Sequence, residues 1–216
     1  MNPAVVFDMD GVLISSEELW DAVRADLVRE AGGRWLPGAH EAMMGMSTPE
    51  WTGYMHQELA VPLRPPEIER AVVARLIARY REAPPFIPGA PEAVRELAAR
   101  GVPLAVASSS TRGLIAAVLE QAGIADAFRA TVSSEEVARG KPAPDVYLEA
   151  LRRLGAPAAG ALAVEDSGPG IRSAAAAGMR VVVVPNPHYP PPQDDLALAW
   201  RVLESIEALP GLVAGA

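Results

Sequence analysis

Ala4-Val5-Val6-Phe7-Asp8-Met9-Asp10-Gly11 is the stretch on which the reading of the whole chain turns. Four apolar residues end abruptly in two aspartates and a glycine, the pattern of a buried strand running out into a loop. Helix follows. Ser15-Ser16-Glu17-Glu18 puts Ser15 and Glu18 at capping-box spacing. Leu19, Val23, Leu27 and Val28 then share a helical pattern that Gly32-Gly33 stops. From Trp35 to Glu82 no segment reads as a strand. Thr48-Pro49 has the look of a cap residue followed by proline at the first helical position. Ile68 to Arg81 carries Val72, Leu76 and Tyr80 on one face and Arg75 and Arg79 on another.

The pattern changes at Pro84-Pro85-Phe86-Ile87-Pro88-Gly89, where fixed proline φ angles block helix continuation and predict a stiff connector. Beyond it, helices over 90–100, 111–122, 144–154 and 168–177 alternate with strands over 104–107, 130–133, 161–164 and 181–184. Such alternation predicts a parallel sheet covered by helices on both faces. The first strand belongs to that sheet. The expected fold is therefore α/β, a doubly wound, Rossmann-like core over residues 1–15 and 86–216 with an all-helical cap inserted at 16–85.

Composition narrows the function. The 216 residues carry a formal charge of −8, which argues against a binder of nucleic-acid backbones. Half the residues are hydrophobic but only 5% aromatic, so the core must be built from Ala, Val and Leu. The absence of cysteine removes disulfides, thiolate nucleophiles and thiolate zinc sites. His40, His56 and His188 match no metal-ligand spacing. The longest β-branched run, Val181 to Val184, is far too short to span a bilayer. No secretory signal pattern is visible, and the expectation is a cytoplasmic protein with no membrane partner.

In doubly wound sheets, ligands bind outside the carboxyl ends of the strands. Three predicted strand ends carry reactive groups: Asp8 and Asp10, then Ser108-Ser109-Ser110, then Glu165 and Asp166. Any one of these alone makes an ordinary helix cap. Four carboxylates on one edge repel each other unless a cation or proton intervenes. Hard oxygen donors without Cys or His point to Mg²⁺. Lys141 adds weight, because it is the only lysine among 19 basic residues and stands in Gly140-Lys141-Pro142-Ala143-Pro144-Asp145 on the same edge. Lysine supplies a point charge where the planar arginine fork does not fit.

Asp8-Met9-Asp10-Gly11-Val12-Leu13, Ala107-Ser108-Ser109-Ser110, Gly140-Lys141-Pro142-Ala143-Pro144-Asp145 and Val164-Glu165-Asp166-Ser167, in that order, resemble the haloacid dehalogenase superfamily. The branch is the one with a small helical cap, which includes β-phosphoglucomutase and many small-molecule phosphatases. The resemblance implies that Asp8 is a nucleophile forming an aspartyl-phosphate. It implies that Asp10 is the general acid and then the general base. Ser108, with Gly11, Ser109 and neighbouring backbone N–H groups, would bind phosphoryl oxygens, and Lys141 would neutralise charge on the nucleophile and the transferring group. Mg²⁺ would be held by Asp8, the Asp10 carbonyl and Asp166, with Glu165 touching the ion or acting one shell out. The cap loop through Gly45, Ser47 and Thr48 would face the substrate, an expected small phosphomonoester, and the chain would be a monomer or weak homodimer.

Departures from the family pattern choose among its chemistries. Dehalogenases lack an acid at the position of Asp10. Phosphonatases of the group need a cap lysine, and this cap has none. Mutase members carry histidine where Trp20 stands and arginine where Thr48 stands, so a phosphatase is favoured over a sugar phosphomutase. The Leu19-Trp20 pair is similar to sugar and sugar-alcohol phosphatases of the branch, so a sugar or polyol phosphate is the expected substrate. A phospho-accepting receiver module is the rival from another class, but such modules are about half this length and lack the insertion. A catalytically silent relative ranks last, because every motif residue is present.

Overall fold

The computed structural model describes residues 3–43, 46, 48–187 and 190–215. Two compact units emerge: Met1–Ser15 with Pro84–Ala216, and Ser16–Ala83.

The first unit holds a six-stranded, wholly parallel sheet of β1 (Val5–Phe7), β2 (Leu104–Ser108), β3 (Ala130–Ser133), β4 (Leu162–Glu165), β5 (Arg180–Val183) and β6 (Arg201–Val202), in the order β3-β2-β1-β4-β5-β6. The helices are α5 (Ala90–Ala99), α6 (Arg112–Gln121), α7 (Asp145–Leu154), α8 (Gly168–Ala176), α9 (Gln193–Leu196) and α10 (Leu209–Ala214). From β1 the chain winds outward through β2 to β3, then returns to the other side of β1 at β4. The strand order therefore reverses between β1 and β4, and that is where a doubly wound sheet opens a crevice.

Period-two alternation divides the strands between two faces. Val6, Ala105, Ala107, Val132, Ala163, Val181 and Val183 pack with Val146, Tyr147, Ala150 and Leu151 of α7 and Ile171 and Ala174 of α8. Residues pointing the other way, such as Val5, Phe7, Leu104, Val106 and Val182, are equally buried, and the right-handed rule for crossovers assigns α5 and α6 to that side. The many alanines let helices approach the sheet closely, as the aromatic-poor composition requires.

β6 has no counterpart in the sequence reading, whose last strand is that over 181–184. Both β6 residues are exposed, so no buried pattern marks it. Its pairing to β5 comes from tertiary contact, flanked by the bonds Trp200 N–H to Val181 O and Leu203 N–H to Val183 O, both 2.8 Å.

The second unit contains α1 (Glu17–Glu30), α2 (Ala39–Met43), α3 (Thr48–Gln57) and α4 (Pro65–Glu82). α4 packs on α1 and α3, burying Ile68, Val72, Leu76 and Tyr80 on its apolar stripe. Met43, Trp51 and Met55 are buried within this unit, and the Arg24 guanidinium lies 4.7 Å and 4.8 Å over the Trp20 and Trp51 rings. Among the described residues no helix is long and apolar enough to cross a membrane.

Three local expectations need correction. Ser15 does not cap α1: the helix starts at Glu17 after Ser16, which makes no side-chain cap bond. Ser15 is drawn to the connector instead, its N–H donating to Pro85 O at 2.8 Å. Thr48 is not a cap before the helix but its first residue, and its carbonyl accepts the Thr52 hydroxyl at 2.7 Å. The second crossing between units falls at Ala83–Pro84 rather than after Pro85. Ile87 N–H to Leu13 O at 3.0 Å helps tie this connector to the first unit.

Candidate active site

Parallel strands release their C-terminal residues at one edge, so β1 and β4 deliver their polar residues side by side. Phe7 pairs with Val164, and the Asp8 N–H donates to Val164 O at 2.9 Å. That register puts Asp8 next to Glu165 at the switch point. Carboxylate oxygens of Asp8, Glu165 and Asp166, all buried, lie within 4.8 Å of one another.

Such a cluster needs positive charge, and Lys141 supplies part of it. Its Nζ is 2.8 Å from Asp8 Oδ1 and 2.6 Å from Glu165 Oε1, with the side chain only 5% exposed. Burial pushes the Asp8 carboxyl up to about 7, with Lys141 opposing that rise and Glu165 and Asp10 adding to it. Burial pulls on Lys141 in the opposite sense, but Asp8 and Glu165 outweigh it and raise the ammonium above its ordinary range. One ammonium does not balance three carboxylates. The donor set is all oxygen, which fits a hard divalent cation such as Mg²⁺ and no thiophilic metal.

Glu165 is wholly enclosed. Oε1 accepts from Lys141 and from the Tyr147 hydroxyl, both at 2.6 Å. Oε2 accepts from Asp166 N–H at 3.2 Å and from the Ser167 N–H and hydroxyl at 3.4 Å and 3.2 Å. Both Glu165 oxygens are thus engaged by side-chain and backbone donors. Gly170, in the first turn of α8, allows this, because a Cβ there would fall 1.9 Å from Glu165 Oε1. Gly11 does the same for Asp166: its φ is +82°, and a Cβ would sit 1.8 Å from Asp166 Oδ2.

Ser108 ends β2 fully buried, its Oγ accepting the Ser110 N–H at 3.0 Å. Ser109 is exposed, and its carbonyl accepts the Ser134 hydroxyl at 3.0 Å. Asp10 is half-buried, with Oδ2 accepting the Ser110 hydroxyl at 2.7 Å. The structure thus gathers Asp8, Lys141, Glu165 and Asp166 into one cluster and joins Asp10 to the serine loop. Thr48 belongs to the helical unit, and Gly45 and Ser47 lie outside the described residues.

Supporting groups escaped the sequence reading. Tyr147 sits at a buried position of α7 and reads as core packing, because only the fold shows where its hydroxyl goes. Ser110 is the third of three serines and carries no signal separating it from Ser108. Ser173 of α8 donates to Ala143 O at 2.6 Å, steadying the loop that carries Lys141.

The family model of haloacid dehalogenase-like hydrolases matches residues 3–178. The chain is 36% identical over 189 residues to Hexitol phosphatase B of Escherichia coli K12, spanning 85% of this chain and 84% of that one. It is 34% identical over 221 residues to Protein CbbY of Rhodobacter capsulatus, spanning 92% of each. The crystal structure of CbbY from Rhodobacter sphaeroides in complex with phosphate superposes with a TM-score of 0.86 at 30% identity, covering 97% of this chain and 96% of that one. A match that runs from the β1 aspartates past α8, in relatives sharing the whole fold, makes this chain a member of the haloacid dehalogenase-like hydrolases, in the group with a small helical cap.

Proposed function

We propose that the protein is a Mg²⁺-dependent phosphatase acting on a small sugar or polyol phosphate. The observation that carries this is the buried group of Asp8, Lys141, Glu165 and Asp166 at the β1/β4 switch point. A carboxylate nucleophile and a phosphoryl group are both anionic, and a site with one ammonium and room for a divalent cation brings them together.

In this reading Asp8 attacks phosphorus, forming a carboxyl–phosphate bond as the ester P–O bond breaks. Asp10 gives its proton to the departing oxygen, then takes one from the water that attacks the aspartyl-phosphate and restores Asp8. Lys141, held between Asp8 and Glu165, neutralises charge on Asp8 and on the phosphoryl oxygens. Ser108, with Gly11 and Ser109, lines the phosphoryl pocket. Asp8, the Asp10 carbonyl and Asp166 would hold Mg²⁺, which when bound screens the phosphoryl oxygens from the incoming carboxylate.

Similarity to Hexitol phosphatase B supports the polyol class. A related crystal structure of CbbY carries xylulose-(1,5)bisphosphate, so a sugar bisphosphate belongs among the substrates tried. The rival is a sugar phosphomutase on the same fold, in which phosphate stays on the product. The test is phosphate release from hexitol, sugar, polyol and sugar-bisphosphate esters, with Mg²⁺ or EDTA. The proposal expects release that needs Mg²⁺ and vanishes in Asp8→Asn. No release from any ester by the folded protein would overturn it.

A further inference from the structure

General acid catalysis needs a carboxyl group held within reach of the oxygen it protonates. Asp10 lies on the loop beyond β1, half-buried and bridged to Ile14. The neighbouring strand reaches its side chain. Ser110 stands beyond the end of β2, which pairs directly with β1, and its hydroxyl donates to Asp10 Oδ2 at 2.7 Å.

Ser110 is itself fixed on three sides. Its N–H donates to Ser108 Oγ at 3.0 Å, and its carbonyl accepts the Ser133 hydroxyl from the end of β3 at 2.7 Å. The next residue, Thr111, caps α6 through Leu114 N–H at 3.4 Å. Three adjacent strand ends are thereby linked, and the Ser110 hydroxyl is buried at the point where they meet. A hydroxyl has a single proton to give, and here it goes to Oδ2.

We propose that Ser110 is the positioning residue for Asp10: its hydroxyl anchors Oδ2, so that Oδ1 is the oxygen that passes the proton to the leaving group. The inference rests on the phosphatase reading above. As the ester P–O bond breaks, the proton moves from Oδ1 to the departing oxygen, and Oδ2 takes up the carboxylate charge against the Ser110 hydroxyl. This role differs from binding the phosphoryl group, for which the sequence offered Ser108 and Ser109.

Leaving-group chemistry separates the two roles. An alkyl phosphate needs its departing oxygen protonated, whereas p-nitrophenolate leaves without help. The informative parameter is kcat/KM, which covers only the steps through loss of the leaving group and omits the later attack by water. Ser110→Ala is expected to lower kcat/KM on a sugar or polyol phosphate by about 10- to 100-fold, a fraction of the full general-acid contribution. The loss on p-nitrophenyl phosphate should be no more than about 3-fold, because no proton is needed there. Asp10→Asn should show the same selectivity with a larger loss, and Ser110→Thr, which keeps the hydroxyl, should restore the alkyl ester. Equal losses on both esters, or none on either, in a wild type active on both would overturn the proposal and leave the phosphatase reading intact. A folded Ser110→Thr variant that loses the alkyl ester selectively, as Asp10→Asn does, would overturn it too, and serves if the alanine variant does not fold. A wild type that hydrolyses no ester would overturn the phosphatase reading itself, and this inference with it.

Discussion

The hydroxyl of Tyr147 donates to Oε1 of Glu165 at 2.6 Å, on the same oxygen that Lys141 holds. A side chain in the core under the sheet thus reaches the charged cluster at its edge. Burial, reinforced by the Glu165 charge, raises the Tyr147 phenol well above its ordinary value, so it stays a donor. Removing this hydroxyl leaves a buried carboxylate with one donor fewer.

Tyr147→Phe is therefore expected to destabilise the protein by about 2 kcal/mol, the scale of a hydrogen bond to a charged group. Thermal melting checks this, with a fall in Tm of roughly 4–8 °C for a chain of this length. An unchanged Tm would show that the hydroxyl does not support Glu165.

Lys141→Met leaves Asp8 and Glu165 buried side by side without their shared cation. The expected cost is at least about 3 kcal/mol, and phosphate release should fall by about 10²- to 10³-fold. Added Mg²⁺ should recover more Tm in this variant than in the wild type, because it replaces part of the missing charge. Lys141→Arg should not rescue activity, since a planar fork does not fit where one Nζ meets two carboxylates at 2.8 Å and 2.6 Å. Melting curves with and without Mg²⁺, alongside turnover, test both variants.

Gly11→Ala introduces a Cβ where Asp166 Oδ2 now lies, at a positive φ that disfavours alanine. Asp166 must move away. The Mg²⁺ concentration for half-maximal activity should rise by about 10-fold or more, with the circular dichroism spectrum unchanged. A wild-type Mg²⁺ titration would separate Asp166 from the ion.

Trp51→Ala removes a side chain that is 3% exposed within the helical unit, meets the Trp20 ring edge-to-face and carries the Arg24 guanidinium over its own ring. A loss of about 3–5 kcal/mol is expected. Because Ser16–Ala83 is compact by itself, hydrogen exchange should rise first in α1, α3 and α4, with β1 to β5 still protected. Uniform loss of protection across both units would contradict this.

Sequence alone determined the parallel α/β core, because alternating apolar strands and helices leave few other arrangements once crossovers are right-handed. It also made the strand-end carboxylates legible, since an Asp or Glu directly after an apolar run marks where a strand ends. The 18 arginines around a lone Lys141 marked that residue before any fold was known. Tertiary structure decided the rest. The pairing of Phe7 with Val164 sets Asp8 against Glu165, and no local pattern encodes which strands become neighbours. Ser110 and Tyr147 look like any loop serine and any core aromatic, because their hydroxyls acquire meaning only from residues 100 and 18 positions away. The exposed strand β6 exists by pairing with β5, not by its own pattern. Hydrophobic periodicity reports which face of an element is buried, while the partners of a buried polar atom are set by contacts distant in sequence, and only the folded chain brings those together.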